Sequence, residues 1–119
     1  MAQQDRIGTH KTTIYREGEF TKVKYHYTDV VSFNDEEIIL KTGGYKTNTT
    51  KTRMNQTSRQ FNLGFNVYQK NWEWYVDVKI VNTPYTYVFV GDTLRIPRTF
   101  TQLATILVEK QKGEKQTQH

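Results

Sequence analysis

Three observations predict an α+β fold, an antiparallel β-sheet of successive hairpins around a central polar helix. Short runs alternate apolar and polar side chains with period two, and clusters of turn-forming residues separate them. A stretch rich in hydroxyls and amides near 49–62 instead places Met54, Ser58 and Phe61 at i, i+4 and i+7, on one helix face. At 119 residues the chain fits a single domain with one core, with mobile tails expected near 1–10 and 112–119.

Thr12–Tyr15 and Phe20–Tyr27 flank Arg16-Glu17-Gly18-Glu19, and Val23, Tyr25 and Tyr27 alternate with Lys22, Lys24 and His26, the pattern of a half-buried hairpin. A second hairpin is expected from Thr28–Phe33 and Glu37–Lys41 around Asn34-Asp35-Glu36, with Gly43-Gly44 ending the sheet. Thr49 or Thr50 suits the helix N-cap and Gly64 the C′ position. Phe65–Gln69 and Trp72–Ile80 surround Lys70-Asn71, with Trp72, Trp74, Val76 and Val78 on the face expected to be buried. Tyr85–Val90 completes the strands; Pro84 at its start suits an edge. After Pro97, the spacing of Phe100, Leu103, Ile106 and Leu107 predicts a short C-terminal helix, although Ile-Leu-Val there also suits a strand.

The hydrophobic fraction is 35% and mean hydropathy is −0.78, while eight Tyr, six Phe and two Trp offer large areas for burial. There is no cysteine, hence no disulfide, thiolate metal site or cysteine nucleophile. No apolar run approaches the roughly 20 residues needed to cross a bilayer, and the polar start lacks a signal peptide's apolar centre. These features predict a soluble protein of the cytoplasm with no membrane partner.

Charge is unevenly distributed. Between Ile38 and Trp72 lie six Lys or Arg and no Asp or Glu, so this window carries +6 while the remainder sums to −1. Basic side chains, hydroxyls and a helix N-terminus together suit an anion such as phosphate. Thr49, Thr50, Lys51, Arg53, Asn55 and Arg59 are the candidates for phosphate or ribose, with Arg53 and Arg59 reaching outward. Tyr45 and Phe61 are candidates for stacking on a base, while Arg95 and Arg98 could add guanidinium groups from another loop. The competing reading of the segment is a solvated polar helix with an ordinary cap. Phe61, Phe65 and Trp72 likewise read singly as core.

Catalysis has little support. His10, His26 and His119 have no metal-type spacing, and Asp35-Glu36-Glu37 reads as a polar hairpin loop. No Walker A, Gly-x-Ser-x-Gly or His-Glu-x-x-His pattern occurs. A binding protein with no enzymatic activity, no metal and no cofactor is expected.

The strings Phe33-Asn34-Asp35, Thr42-Gly43-Gly44-Tyr45, Thr49-Thr50-Lys51-Thr52-Arg53-Met54-Asn55-Gln56, Phe61-Asn62-Leu63-Gly64-Phe65 and Trp74-Tyr75-Val76 resemble a family of small phage proteins. The named group they resemble is the anti-Thoeris family, which counters Thoeris immunity by sequestering its signalling nucleotide. The resemblance covers about half of the chain, from 28 to 78. It implies a catalytically inactive sponge for a cyclic ADP-ribose-type signal or other cyclic nucleotides, acting in the host cytoplasm with pockets between protomers of a homo-oligomer. A small basic nucleic-acid-binding accessory protein is the alternative, and a phage structural protein a third reading.

Overall fold

The computed structural model describes residues 8–44 and 46–99. In order these form β1 (Thr12–Glu17), β2 (Phe20–Tyr25), β3 (Thr28–Phe33), β4 (Glu37–Lys41), α1 (Asn48–Gln60), β5 (Phe65–Lys70), β6 (Glu73–Ile80), β7 (Thr83–Val88) and β8 (Thr93–Pro97). The predicted α+β class holds, but the strands form two antiparallel sheets, ordered β1-β2-β3-β4-β8 and β5-β6-β7. The helix expected after Pro97 and the tail expected at 112–119 lie outside the described residues. Of the expected N-terminal tail, residues 8–10 are described, and the Gly8 N–H donates to Gln56 Oε1 at 3.0 Å.

Alternation builds the inner face of the larger sheet. Cross-strand pairing lines up Ile14, Val23, Val31, Leu40 and Leu94 in one row across all five strands. A second row joins Thr21, Phe33, Ile38 and Ile96. In the smaller sheet Phe65, Val67, Trp74, Val76, Val78 and Ile80 point inward, and with Met54, Leu63 and Phe89 they complete one continuous core. A bulge interrupts β3: Val23 pairs with Val31 and Lys24 with Asp29, which leaves Val30 as the extra residue. Val30 and Val31 are therefore both buried.

Tight two-residue turns join most neighbouring strands. Gly18 (φ +61°) leads the first, between Glu17 and Phe20. Three others lack glycine; one is the turn expected at Lys70-Asn71, displaced by one residue, and two were not expected. His26-Tyr27, expected to extend β2, turns between Tyr25 and Thr28. Asn71-Trp72 turns between Lys70 and Glu73, with φ of 52° and 70°, so Trp72 leaves the buried face expected of it and is 91% exposed. Val81-Asn82 turns between Ile80 and Thr83 and starts β7 two residues before the expected strand. Strand β8 is a further correction, since Arg95 belongs to a strand paired with β4 instead of a loop.

α1 starts two or three residues earlier than expected. Thr47 is the N-cap, its Oγ1 accepting the Thr50 N–H at 3.2 Å. At the other end Asn62 (φ 55°) occupies the C′ position predicted for Gly64. The Leu63 N–H donates to Ser58 O and the Asn62 N–H to Arg59 O, the paired bonds of a Schellman ending.

The polar face of α1 was expected to meet solvent, yet Arg53, Asn55 and Gln56 are buried. Asn55 Nδ2 donates to Val67 O at 2.8 Å while its Oδ1 accepts the Val67 N–H at 2.7 Å. Ser58 Oγ does the same for Phe65, donating to its O at 2.7 Å and accepting its N–H at 2.9 Å. Two side chains of the helix thus occupy the backbone groups that β5 turns away from β6, closing a sheet edge without another strand. Arg53 sends Nε to Thr12 Oγ1 at 3.0 Å and Nη1 to Gln56 Oε1 at 3.2 Å, with its guanidinium over the Tyr25 ring. It ties β1 and β2 to the helix.

Candidate site at the N-terminal end of the helix

These bonds fix the direction of everything around α1. β5 runs antiparallel to the helix, because Ser58 meets Phe65 and Asn55 meets Val67; the Asn71-Trp72 tip therefore projects beyond the helix N-terminus. Lys51 confirms the placement, its Nζ lying 5.7 Å from the centre of the Trp74 ring. The His26-Tyr27 tip reaches the same end, where it shares a cavity with Thr47 and Thr50.

That cavity measures about 450 Å³, within the range of small-molecule sites. Tyr25, His26, Tyr27 and Thr28 form one side, Thr42 and Gly43 another, and the bulged Val30 part of the lining. Thr47 and Thr50 bring the helix N-terminus to it. No carboxylate lines the cavity among the described residues. Helix N–H groups and hydroxyls meet aromatic rings here, a combination that can hold an anion and a flat ring together. The Tyr25 and His26 rings meet edge to face at 4.4 Å.

The Thr42–Gly44 side is pinned by Asp92. Its Oδ1 accepts from Thr42 Oγ1 at 2.6 Å and from the Gly44 N–H at 2.9 Å. These donors hold its carboxyl below its ordinary pKa. Gly43 is required on two counts: its φ is +67°, and a Cβ there would lie 2.2 Å from Thr28 Oγ1.

The predicted site residues divide among three places. Thr49, Thr50 and Lys51 gather at the N-terminal end, Thr50 buried against the cavity and Thr49 exposed. Arg53 and Asn55 are engaged inside the fold, so Arg53 does not reach outward as expected. Arg59 and Phe61 lie at the opposite end, where the Phe61 ring packs on Phe33 with centroids 5.0 Å apart. Arg95 and Arg98 are also remote: Arg95 pairs with Glu37, and Arg98 Nη1 donates to Asn34 O at 2.6 Å. Tyr45 lies outside the described residues.

Thr47 and Gly43 belong to the hydroxyl- and glycine-rich run that marked this segment in the sequence. Tyr25, His26, Tyr27, Thr28 and Val30 were missed because alternation reads through a turn that has neither glycine nor proline. Among the described residues no group of three or more His, Asp or Glu is placed to hold a metal ion, and no helix is long and apolar enough to cross a membrane.

Comparison with curated proteins and with solved structures finds no match. The family model described as Kyanoviridae Gp96 protein matches residues 1–95, a span that includes the helix, the cavity and both hairpin tips. This chain therefore belongs to the Kyanoviridae Gp96 family of phage proteins.

Proposed function

We propose that this phage protein binds a small anionic nucleotide in the cavity at the N-terminal end of α1 and holds it without cleaving it. The observation that carries the reading is the meeting, in one carboxylate-free cavity of about 450 Å³, of a helix N-terminus with the rings of Tyr25 and Tyr27. Helix N–H groups and the threonine hydroxyls receive phosphate or ribose, while the rings pack against the base. The absence of an acid and base pair among the described lining residues fits retention better than turnover. A cyclic nucleotide immune signal of the cyclic ADP-ribose type is the ligand class favoured by the family resemblance, which makes the protein an anti-defence sponge of the infected host's cytoplasm.

The test is calorimetric titration with cyclic ADP-ribose isomers and cyclic dinucleotides, followed by heat release and mass spectrometry of the ligand. Binding in the micromolar range or tighter, intact recovery and weakening by Thr50→Val are expected. Absence of binding to every compound, or recovery of a hydrolysed product, defeats the proposal.

A further inference from the structure

Two of the most exposed large side chains among the described residues, Tyr27 at 97% and Trp72 at 91%, sit on separate hairpin tips at this same end. Trp72 also occupies the second position of a turn whose two central residues have positive φ, a place that favours glycine. A bulky residue there is strained as well as exposed, and neither cost brings it a contact in the fold. Lys46, Lys51 and Lys70 lie close by: the first two stand over the Trp74 ring, Lys46 giving one N–H to Phe89 O at 2.7 Å and keeping its charge and two further donors, and Lys70 closes the Trp72 turn.

We propose that this end of the protein is a docking surface for single-stranded nucleic acid, on which Tyr27 and Trp72 stack against bases while Lys46, Lys51 and Lys70 face the phosphates. Aromatic posts separated by cations are what a flexible polyanion with flat bases fits. A lipid surface fits less well, because the two rings are not joined by apolar surface. His26 and Asn71 share the two turns with the rings, and the threonines of the cavity lie at the same end, donors that suit phosphate and base edges. Glu73 beside Trp72 accepts from the Tyr75 hydroxyl at 3.1 Å and keeps its negative charge, which Lys46, Lys51 and Lys70 outnumber at this end. This surface goes beyond the proposed nucleotide cavity and needs no occupant in it.

Trp72 supplies its own readout. The other tryptophan, Trp74, is 2% exposed, so quenching of emission by oligothymidylates reports chiefly on the tip. Affinity is expected to rise with oligonucleotide length and to fall with salt at a log–log slope of about −2, as for roughly three phosphates neutralised on a single strand. Trp72→Gly, followed through a fluorescent label on the oligonucleotide, is expected to retain or raise Tm because glycine relieves the positive φ, yet to weaken binding about tenfold or more. Tyr27→Ala should weaken it as well, but Tyr27 also lines the cavity, so only Trp72→Gly is expected to retain affinity for a free cyclic nucleotide.

Three results overturn the proposal: no oligonucleotide binding, binding indifferent to both substitutions, or Trp72-dependent binding to phosphatidylserine vesicles without oligonucleotide binding. Loss of free-nucleotide binding alone strikes the cavity and leaves this surface standing.

Discussion

The two ends of α1 are built from the same parts, hairpin turns around a helix terminus, and differ in their chemistry. At the N-terminal end the turns carry His26-Tyr27 and Asn71-Trp72, and the nearby charges are mostly lysines. At the C-terminal end a cleft of about 420 Å³ is lined by Gly18 and Glu19 of one turn and Asn34, Asp35 and Glu36 of another, with Arg16 and Arg98 among the carboxylates. Opposite charges are close neighbours there, and the backbone N–H and guanidinium of Arg98 are tied to Glu36 O and Asn34 O. The lesson is that arginine count does not identify an anion site. At the arginine-bearing end Arg98 is held by backbone carbonyls and carboxylates share the cleft, while the end with lysines and a carboxylate-free cavity leaves room for a ligand.

Between the ends, the Asn55 and Ser58 bonds to β5 set which tip lies where. Asn55→Ala should have the largest effect on stability, about 2–4 kcal/mol, because it strands a donor and an acceptor of Val67 inside the protein. Urea unfolding followed by far-UV circular dichroism measures it, and a loss under about 1 kcal/mol would show that β5 does not depend on the helix for its edge. Next comes Thr47→Ala, which removes the N-cap and should cost about 1 kcal/mol. It should also weaken nucleotide binding, whereas Arg98→Ala at the other end should leave affinity unchanged. Equal losses from the two would erase the distinction between the ends.

pH separates them more gently. The pKa of Asp92 is depressed in the folded protein, so its contribution is present above its unfolded pKa and is lost as pH falls through the folded value, below about pH 4. The Gly44 amide resonance should titrate in that window and ligand affinity should fall with it. At the opposite end Glu17 is lowered by Lys22, but that exposed ion pair should fade with salt, whereas the neutral donors on Asp92 should not. The smallest effect is a gain: Asn62→Gly should add a few tenths of a kcal/mol, because φ of 55° suits glycine. No measurable change, or a loss, would show that the Asn62 side chain has a role the Schellman ending does not explain.

Most strands and the existence of the helix were legible because period-two and helical spacing survive in the side chains that build the core. The turns at His26-Tyr27 and Val81-Asn82 were not, since His26 and Val81 adopt positive φ inside a run of strand-like sequence with no glycine to mark the turn. β8 escaped because Thr93–Pro97 is short and follows Gly91-Asp92, which reads as an ending. The polar segment was read as a helix, as the structure has it, but its polar residues were assigned the wrong partners. Asn55 and Ser58 on a helix look alike whether they bond water or a strand edge; only the position of β5 decides. Arg53, likewise, reads as a surface cation until Thr12, Gln56 and Tyr25 are seen around it.

Backbone amide chemical shifts of the labelled protein, followed while cyclic ADP-ribose or a cyclic dinucleotide is added, test the central claim most directly. The account predicts perturbations concentrated in 25–30, 42–44 and 47–51, with the turns at 18–19, 34–36 and 81–82 unmoved. Perturbations centred on Arg16, Asp35 and Arg98 would place the ligand at the wrong end of the helix and contradict it.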